Sequence, residues 1–218
     1  MAKSKPHVIL SAATSIDGKI ATRTGDSKLS SKQDSIRLHK LRSKVDAILI
    51  GKNTMLKDNP LLNVRYAKGK NPIRIILDSK GVISKKSKIL QTSNKIPTIV
   101  AVSKKINKSN LAKLEKFPIE IIFAGESSVN IKLLLKKLYK KKIKTILVEG
   151  GGTTNWEFVK QNLFDELIVT ISPFLIGGKD AVSLIEGNGF AKIANSSNLR
   201  IKSIKRLKNH LVLYYEKL

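Results

Sequence analysis

Short runs of apolar, largely β-branched residues alternate along the chain with stretches whose apolar positions recur at helical spacing. That pattern predicts an α/β fold: a mostly parallel sheet covered by helices on both faces. The strand expectations are residues 7–15, 45–51, 73–78, 98–102, 119–124 and 145–149, then 166–172, 199–207 and 211–216. Ser31 to Ser43 reads as a helix with a start like a capping box, Ser31 and Asp34 offering oxygens to unpaired N–H groups of the first turn. Residues 130–142 and 155–162 are the other clear helices. Only Lys208-Asn209-His210 separates the last two strands, too little for a crossover, so the C-terminus should close as an antiparallel hairpin and the sheet should be mixed. Residues 67–71 and 85–94 read as polar loops. Nothing repeats and no low-complexity linker divides the chain, so residues 1–218 read as one domain.

Composition narrows the chemistry. With no cysteine there is no thiol nucleophile, disulfide or Cys-ligated zinc, and His7, His39 and His210 have no metal-ligand spacing, so no metal is expected. The apolar run Val8 to Ala13 is too short for a signal sequence, and no stretch reaches membrane-spanning length. A soluble cytoplasmic protein is the expectation. The formal charge of +26 raises nucleic acid as a partner. Against it, the lysines are spread along the chain, and the dense run Lys136 to Lys144 lies on a helix whose Leu133, Leu134, Leu138 and Ile143 supply an apolar side. Aromatics at 5% also offer no stacking platform. Small phosphorylated ligands suit the same charge.

Four clusters carry candidate chemistry. Thr145 to Val148 is a buried strand that ends in Glu149-Gly150-Gly151-Gly152-Thr153-Thr154 and leads into the helical Asn155-Trp156-Glu157. Side-chain-free backbone there lets a phosphate approach N–H groups at a helix start, and Glu149 stands where open α/β sheets bind ligands. The spacing matches neither the dinucleotide fingerprint nor a Walker loop, and three glycines also make a plain tight turn. Ser15-Ile16-Asp17-Gly18-Lys19 makes a turn after the first strand. Residues 51–65 combine a possible helical turn, Asp58, an Asn-Pro stop and Arg65, contacts suited to a sugar or phosphate. Asp78, Ser79 and Lys80 close the fourth cluster, and Ser103, Lys104 and Lys105 follow the next strand. His39, beside Leu38 and Leu41, reads as structural.

In this order the clusters resemble the reductases of riboflavin biosynthesis, both the free-standing diaminopyrimidine reductases and the reductase half of the bifunctional deaminase-reductases. The resemblance lies in Ser15 to Ala21, His39-Lys40-Leu41-Arg42 with Val45 to Ile48, Thr54 to Arg65, Asn71 to Ser79, Leu147 to Thr153, and Asp165-Glu166-Leu167 with Pro173 to Gly178. It implies a dihydrofolate-reductase-like fold, a homodimer, NADPH as hydride donor and a pyrimidinone ribose phosphate as substrate. Lys19 and Glu149 would then handle protons. Thr54, Asp58, Ser79, Lys80, Gly125, Gly150, Gly151, Gly152, Thr153, Thr154 and Asn155 would hold the cofactor. Ser27, Arg42, Leu62, Arg65 and Glu149 would line the substrate side. Where the family often has an arginine after Asp-Ser, this chain has Lys80-Gly81-Val82. A dihydrofolate reductase would instead need an acidic residue on an early helix, where this chain offers Arg37, His39 and Arg42.

Overall fold

The computed structural model describes residues 5–218. In chain order the elements are β1 (His7–Thr14), β2 (Lys19–Ala21), α1 (Lys32–Arg42), β3 (Ala47–Gly51), α2 (Lys52–Asp58), β4 (Ile73–Leu77), α3 (Lys88–Gln91), β5 (Thr98–Val102) and α4 (Lys108–Leu114). Then come β6 (Glu120–Phe123), α5 (Ile131–Lys140), β7 (Thr145–Val148), α6 (Gly152–Lys160), β8 (Glu166–Ile171), β9 (Val182–Ser183), β10 (Leu199–Leu207) and β11 (His210–Lys217). They fall into two compact units. The first takes the described residues up to His7 together with Lys40–Leu147; the second takes Val8–His39 and Val148–Leu218.

In the first unit β3, β4, β5 and β6 run parallel in that order, with β7 beside β3. Every residue of β3 and β5 is buried, as near-continuous apolar strands require when both faces are covered. Ile48, Ile50, Ile76, Val100 and Val102 project to one face, where they meet Met55, Leu62, Ile83, Ile89, Leu90 and Leu114. In α5 the buried residues are Ile131, Leu134, Leu135 and Leu138, while Lys132, Lys136, Lys137 and Lys140 are exposed. Burying each apolar side chain stabilises by about 1.5–3 kcal/mol. That outweighs the roughly 0.2–0.5 kcal/mol lost to each like-charge pair on the lysine face, so the helix forms despite its charge. Two short helices depart from the expectations. α3 lies inside the supposed loop 85–94, started by Ser87 Oγ, which accepts from Leu90 N at 3.4 Å. α4 is started by Asn107 Oδ1, which accepts from Asn110 N at 2.7 Å. Helices this short present too little period to be read.

In the second unit β1 and β8 are parallel, β11 runs antiparallel to β8, and β10 pairs antiparallel with β11. The expected hairpin is present, with Leu207 opposite His210. His210 belongs to the strand rather than the turn: it is buried, with its Nε2 3.1 Å from the Leu29 carbonyl, which also accepts from Ser172 Oγ at 2.7 Å. At the start of α1, Ser31 Oγ accepts from Asp34 N at 3.2 Å. The Asp34 carboxylate does not complete a capping box. It is buried and accepts from Ser30 Oγ at 2.7 Å, Thr170 Oγ1 at 2.7 Å and Arg37 Nε at 2.8 Å. Helix α6 begins at Gly152, three residues before the expected start. The small pair β2 and β9 was not expected. Among the described residues no helix is long and apolar enough to cross a membrane.

Candidate active site

In the second unit the Ser15–Lys19 turn is tied internally. Ser15 N donates to the Lys19 carbonyl at 2.8 Å, Lys19 N donates to Ser15 Oγ at 2.9 Å, and Gly18 sits at φ +77°. The Asp17 carboxylate accepts from Ile176 N at 3.0 Å and Gly177 N at 2.7 Å, which fixes the 173–178 loop on the turn. These bonds, the Ile176 amide foremost, hold the Asp17 carboxyl down at about 2. Lys19 opens β2 opposite Ser183, and its Nζ donates to Ser183 Oγ at 3.1 Å and the Ala181 carbonyl at 3.4 Å. The ammonium is thus fixed by two neutral oxygens.

The glycine run reaches the same segment from the other side. Glu149 is half-buried directly after β7, and Gly150 sits at φ +84° before a cis Gly150–Gly151 peptide. Gly151 starts α6 with no side-chain cap on its first turn. Gly152 is packed so closely that a Cβ would lie 2.4 Å from the Ser183 carbonyl oxygen, and its own carbonyl accepts from Glu186 N at 3.1 Å. Thr153 Oγ1 donates to Glu186 Oε2 at 3.2 Å, and Asn155 Nδ2 donates to the Leu184 carbonyl at 2.9 Å. Thr154 and Asn155 are buried, and Asn155 Oδ1 has no partner. Segment 181–186 therefore joins Lys19 to the start of α6. No motif marks it in the sequence; its contacts to Lys19, Gly152 and Asn155 are all distant along the chain. Ser27 stands apart from this group, exposed on the loop before α1.

The first unit assembles two further groups. At the carboxyl ends of β4, β5 and β6, the Ser79 carbonyl accepts from Ser103 N at 3.0 Å and Ser103 Oγ at 2.9 Å. Ser79 Oγ accepts from Val129 N at 3.0 Å, and the Gly125 carbonyl accepts from Lys104 N at 3.0 Å. Gly125, at φ +116°, has no space for a side chain: a Cβ would lie 2.2 Å from the Ser128 carbonyl oxygen. Lys80, Lys104 and Lys105 are exposed on this rim. The second group surrounds α2 and the segment after it. Thr54 is half-buried on α2. Asp58 closes that helix, keeping some contact with solvent, and desolvation pushes its carboxyl up against the pull of Lys57. Arg42 is buried and its Nη1 donates to the Asn63 carbonyl at 3.0 Å. Arg65 is exposed and its Nη1 donates to Asn63 Oδ1 at 2.6 Å. Leu62 differs from its expected role: its side chain is in the core, leaving only its backbone, at φ +46°, to meet a ligand.

Comparison with known proteins decides the family. The family model described as the RibD C-terminal domain matches residues 6–213. The chain belongs to this family. It is 39% identical over 204 residues to the 2,5-diamino-6-ribosylamino-4(3H)-pyrimidinone 5′-phosphate reductase of Aquifex aeolicus, covering 91% of each chain. It is 37% identical to the protein of the same name from Methanothermobacter thermautotrophicus, covering 97% of this chain and 98% of that one. Among solved structures it is similar to the deaminase/reductase of Thermotoga maritima, at TM-score 0.80 and 27% identity, covering 98% of this chain and 57% of that one. The likeness in fold extends to a dihydrofolate reductase from Enterococcus faecalis, at TM-score 0.52, 12% identity and coverage of 97% and 96%. The dihydrofolate-reductase-like fold and the riboflavin-biosynthesis reductase family are thereby established, and the protein is an oxidoreductase.

Proposed function

We propose that the protein reduces 2,5-diamino-6-ribosylamino-4(3H)-pyrimidinone 5′-phosphate to the ribitylamino product, with NADPH as the hydride donor, acting as one reductase domain in the cytoplasm. The observation that carries the reading is the match at 39% and 37% identity across nearly the full length of two reductases of that name. The match to the RibD protein of Aquifex aeolicus, at 34%, spans 59% of that longer chain. A deaminase of the Cys-zinc type has no ligands among these 218 residues.

A nicotinamide dinucleotide fits the start of α6. Gly151 leaves the first-turn N–H groups without a side-chain cap, and Asn155 Oδ1 is a buried acceptor still to be satisfied. Bound there by Gly150, Gly151, Gly152, Thr153, Thr154 and Asn155, the cofactor supplies a hydride. On the first unit, Thr54, Asp58, Ser79, Lys80 and Gly125 are the proposed cofactor contacts. Reduction needs a trigonal carbon, so the ribose opens to an imine at C1′; hydride then adds to C1′ and a proton to the nitrogen. Lys19, aimed by Ser183, and Glu149 handle these protons. Ser27, Arg42, Arg65 and the backbone of Leu62 are the proposed substrate contacts, with the arginine forks suited to the phosphate. A homodimer formed by the β10–β11 hairpin accounts for exposed Ile201 and Ile204 on the edge strand β10 and for exposed Leu211 on its neighbour.

Dihydrofolate reduction is disfavoured on a specific ground. The acidic residue on the early helix is Asp34, and Ser30, Arg37 and Thr170 already occupy its two oxygens. The test is NADPH oxidation followed by absorbance with the diamino substrate, its deaminated analogue and dihydrofolate in separate reactions. Turnover of the diamino compound alone supports the proposal, and turnover of neither pyrimidine by folded protein rejects it. Glu149→Gln should cut turnover at least about tenfold; an unchanged rate removes Glu149 from the proton path.

A further inference from the structure

We propose that Arg74 is a positioning residue that sets the path of segment 59–65 by holding the Leu61 carbonyl. The proposal builds on the reading above that Leu62 and Arg65 border the substrate. Arg74 interrupts an otherwise apolar strand, β4, and its side chain is fully buried. Its Nε and Nη2 donate to Thr98 Oγ1 at 3.0 and 2.7 Å, and its Nη1 donates to Thr92 Oγ1 at 2.8 Å and the Leu61 carbonyl at 3.2 Å. Nη2 also donates to the carbonyls of Ile89 at 2.9 Å and Ile96 at 3.1 Å. Every acceptor is neutral. Burial pulls the guanidinium down to about 10, which leaves it charged at neutral pH. A buried cation without a carboxylate is costly, and a strand interior could hold an apolar residue instead. What the guanidinium provides is a rigid fork that ties β5, the α3 region and segment 59–65 to one point.

That segment needs holding. Asn59 lies at φ +41° and Leu62 at φ +46°, and a branched residue rarely adopts the left-handed region unless its surroundings impose it. Three other ties flank the Arg74 contact. Asn59 Oδ1 accepts from Lys88 N at 2.8 Å, Arg42 Nη1 reaches the Asn63 carbonyl at 3.0 Å, and Asn71 Oδ1 accepts from Val64 N at 2.7 Å. The Leu61 carbonyl directly precedes the left-handed residue. Without its tie, Leu62 can relax toward ordinary φ and carry residues 63–65 with it. A lysine at this position keeps the charge but, as a single donor centre, cannot span the same acceptors.

Arg74→Lys and Thr98→Val test the proposal. The second keeps the charge and leaves the segment untouched, removing only the hydroxyl that aims the fork, so it decides alone if Arg74→Lys does not fold. Hydrogen–deuterium exchange in the peptide covering residues 59–66 should quicken by at least about tenfold, with exchange in β4 and β5 unchanged. The pyrimidine KM should rise about tenfold while kcat and NADPH affinity stay within about twofold. Unchanged exchange at 59–66, or equal acceleration throughout the first unit, overturns the positioning role. Faster exchange with an unchanged KM leaves the positioning role standing and refutes the assignment of Leu62 and Arg65 to the substrate.

Discussion

Replacing Gly152 by alanine isolates the contact between segment 181–186 and the start of α6. The new Cβ would lie 2.4 Å from the Ser183 carbonyl oxygen and 2.6 Å from Glu186 Cγ, where ordinary contact begins at 3.4 Å. The glutamate side chain can swing aside, but the carbonyl belongs to backbone held by the pairing of Ser183 with Lys19. Segment 181–186 must therefore shift by about an ångström, and overpacking of this kind costs about 1–3 kcal/mol. Breaking the Glu186 N to Gly152 bond adds about 1 kcal/mol, and alanine's better helix propensity returns up to about 1 kcal/mol. The net loss of about 1–3 kcal/mol lowers Tm by roughly 2–12 °C in a chain of this size. Turnover should also fall, because Ser183 Oγ aims the Lys19 ammonium. Gly150→Ala separates space from conformation. Its Cβ would meet nothing nearer than Asn155 Nδ2 at 3.9 Å, so the cost is the left-handed backbone alone, about 1–2 kcal/mol. Thermal unfolding and NADPH oxidation on both variants give the answer. A Gly152→Ala protein with Tm within about 1 °C of the parent and unaltered turnover would refute the packing argument.

Thr170→Val removes a hydroxyl that donates to buried Asp34 and lies 3.3 Å from Arg37 Nη2. A bond to a charged group is worth about 1.5–3 kcal/mol, so urea unfolding should show a loss of that order; a smaller change would mean that Ser30 and Arg37 satisfy the carboxylate alone. Asp17 is pulled from the ordinary 3.8 to about 2 in the folded chain, so its bonds stabilise the fold above pH 3.8 and that contribution is lost as pH falls through about 2. The difference in urea midpoint between parent and Asp17→Asn should accordingly shrink between about pH 5 and pH 2, and a pH-independent difference would remove Asp17 as its source.

The parallel strands were legible because each is a near-continuous apolar run bounded by polar residues, and the hairpin because Lys208 to His210 leaves room for nothing else. The short helices α3 and α4 were not, since their starts depend on single bonds from Ser87 and Asn107. In the candidate site, the glycines after Glu149 and the Asp17-Gly18 turn announce themselves through residue type. Segment 181–186 does not, because its importance comes from backbone carbonyls meeting Lys19, Gly152 and Asn155 from far along the chain. Asp34 looked like a helix cap and is a buried carboxylate paired with Arg37; a lone residue cannot reveal that it also accepts from Thr170, 136 positions away. Arg74 did leave a signal, a charge inside an apolar strand, but its neutral acceptors lie in three separate stretches of chain.

The two units fix their irregular segments with different emphasis. In the second, the 181–186 segment takes the Lys19 and Asn155 side chains on its carbonyls but is also packed as backbone against glycine, with the Leu184 and Glu186 amides donating to the carbonyls of Gly18 and Gly152. Its weak point is space, so an added methyl displaces it while most polar surface substitutions leave it in place. In the first, segment 59–65 is held by side chains that reach its backbone from outside: Asn71, Arg42 and Arg74. Its weak point is the loss of a donor or acceptor, because each removed group leaves a main-chain partner unsatisfied in a partly dry setting. A substitution scan should separate them: small-to-large changes at glycine loosen the Lys19 side, and truncations of distant polar residues loosen the Leu62 side. If glycine substitutions instead disturbed segment 59–65 as strongly as polar truncations do, the side chains would not be its principal restraint.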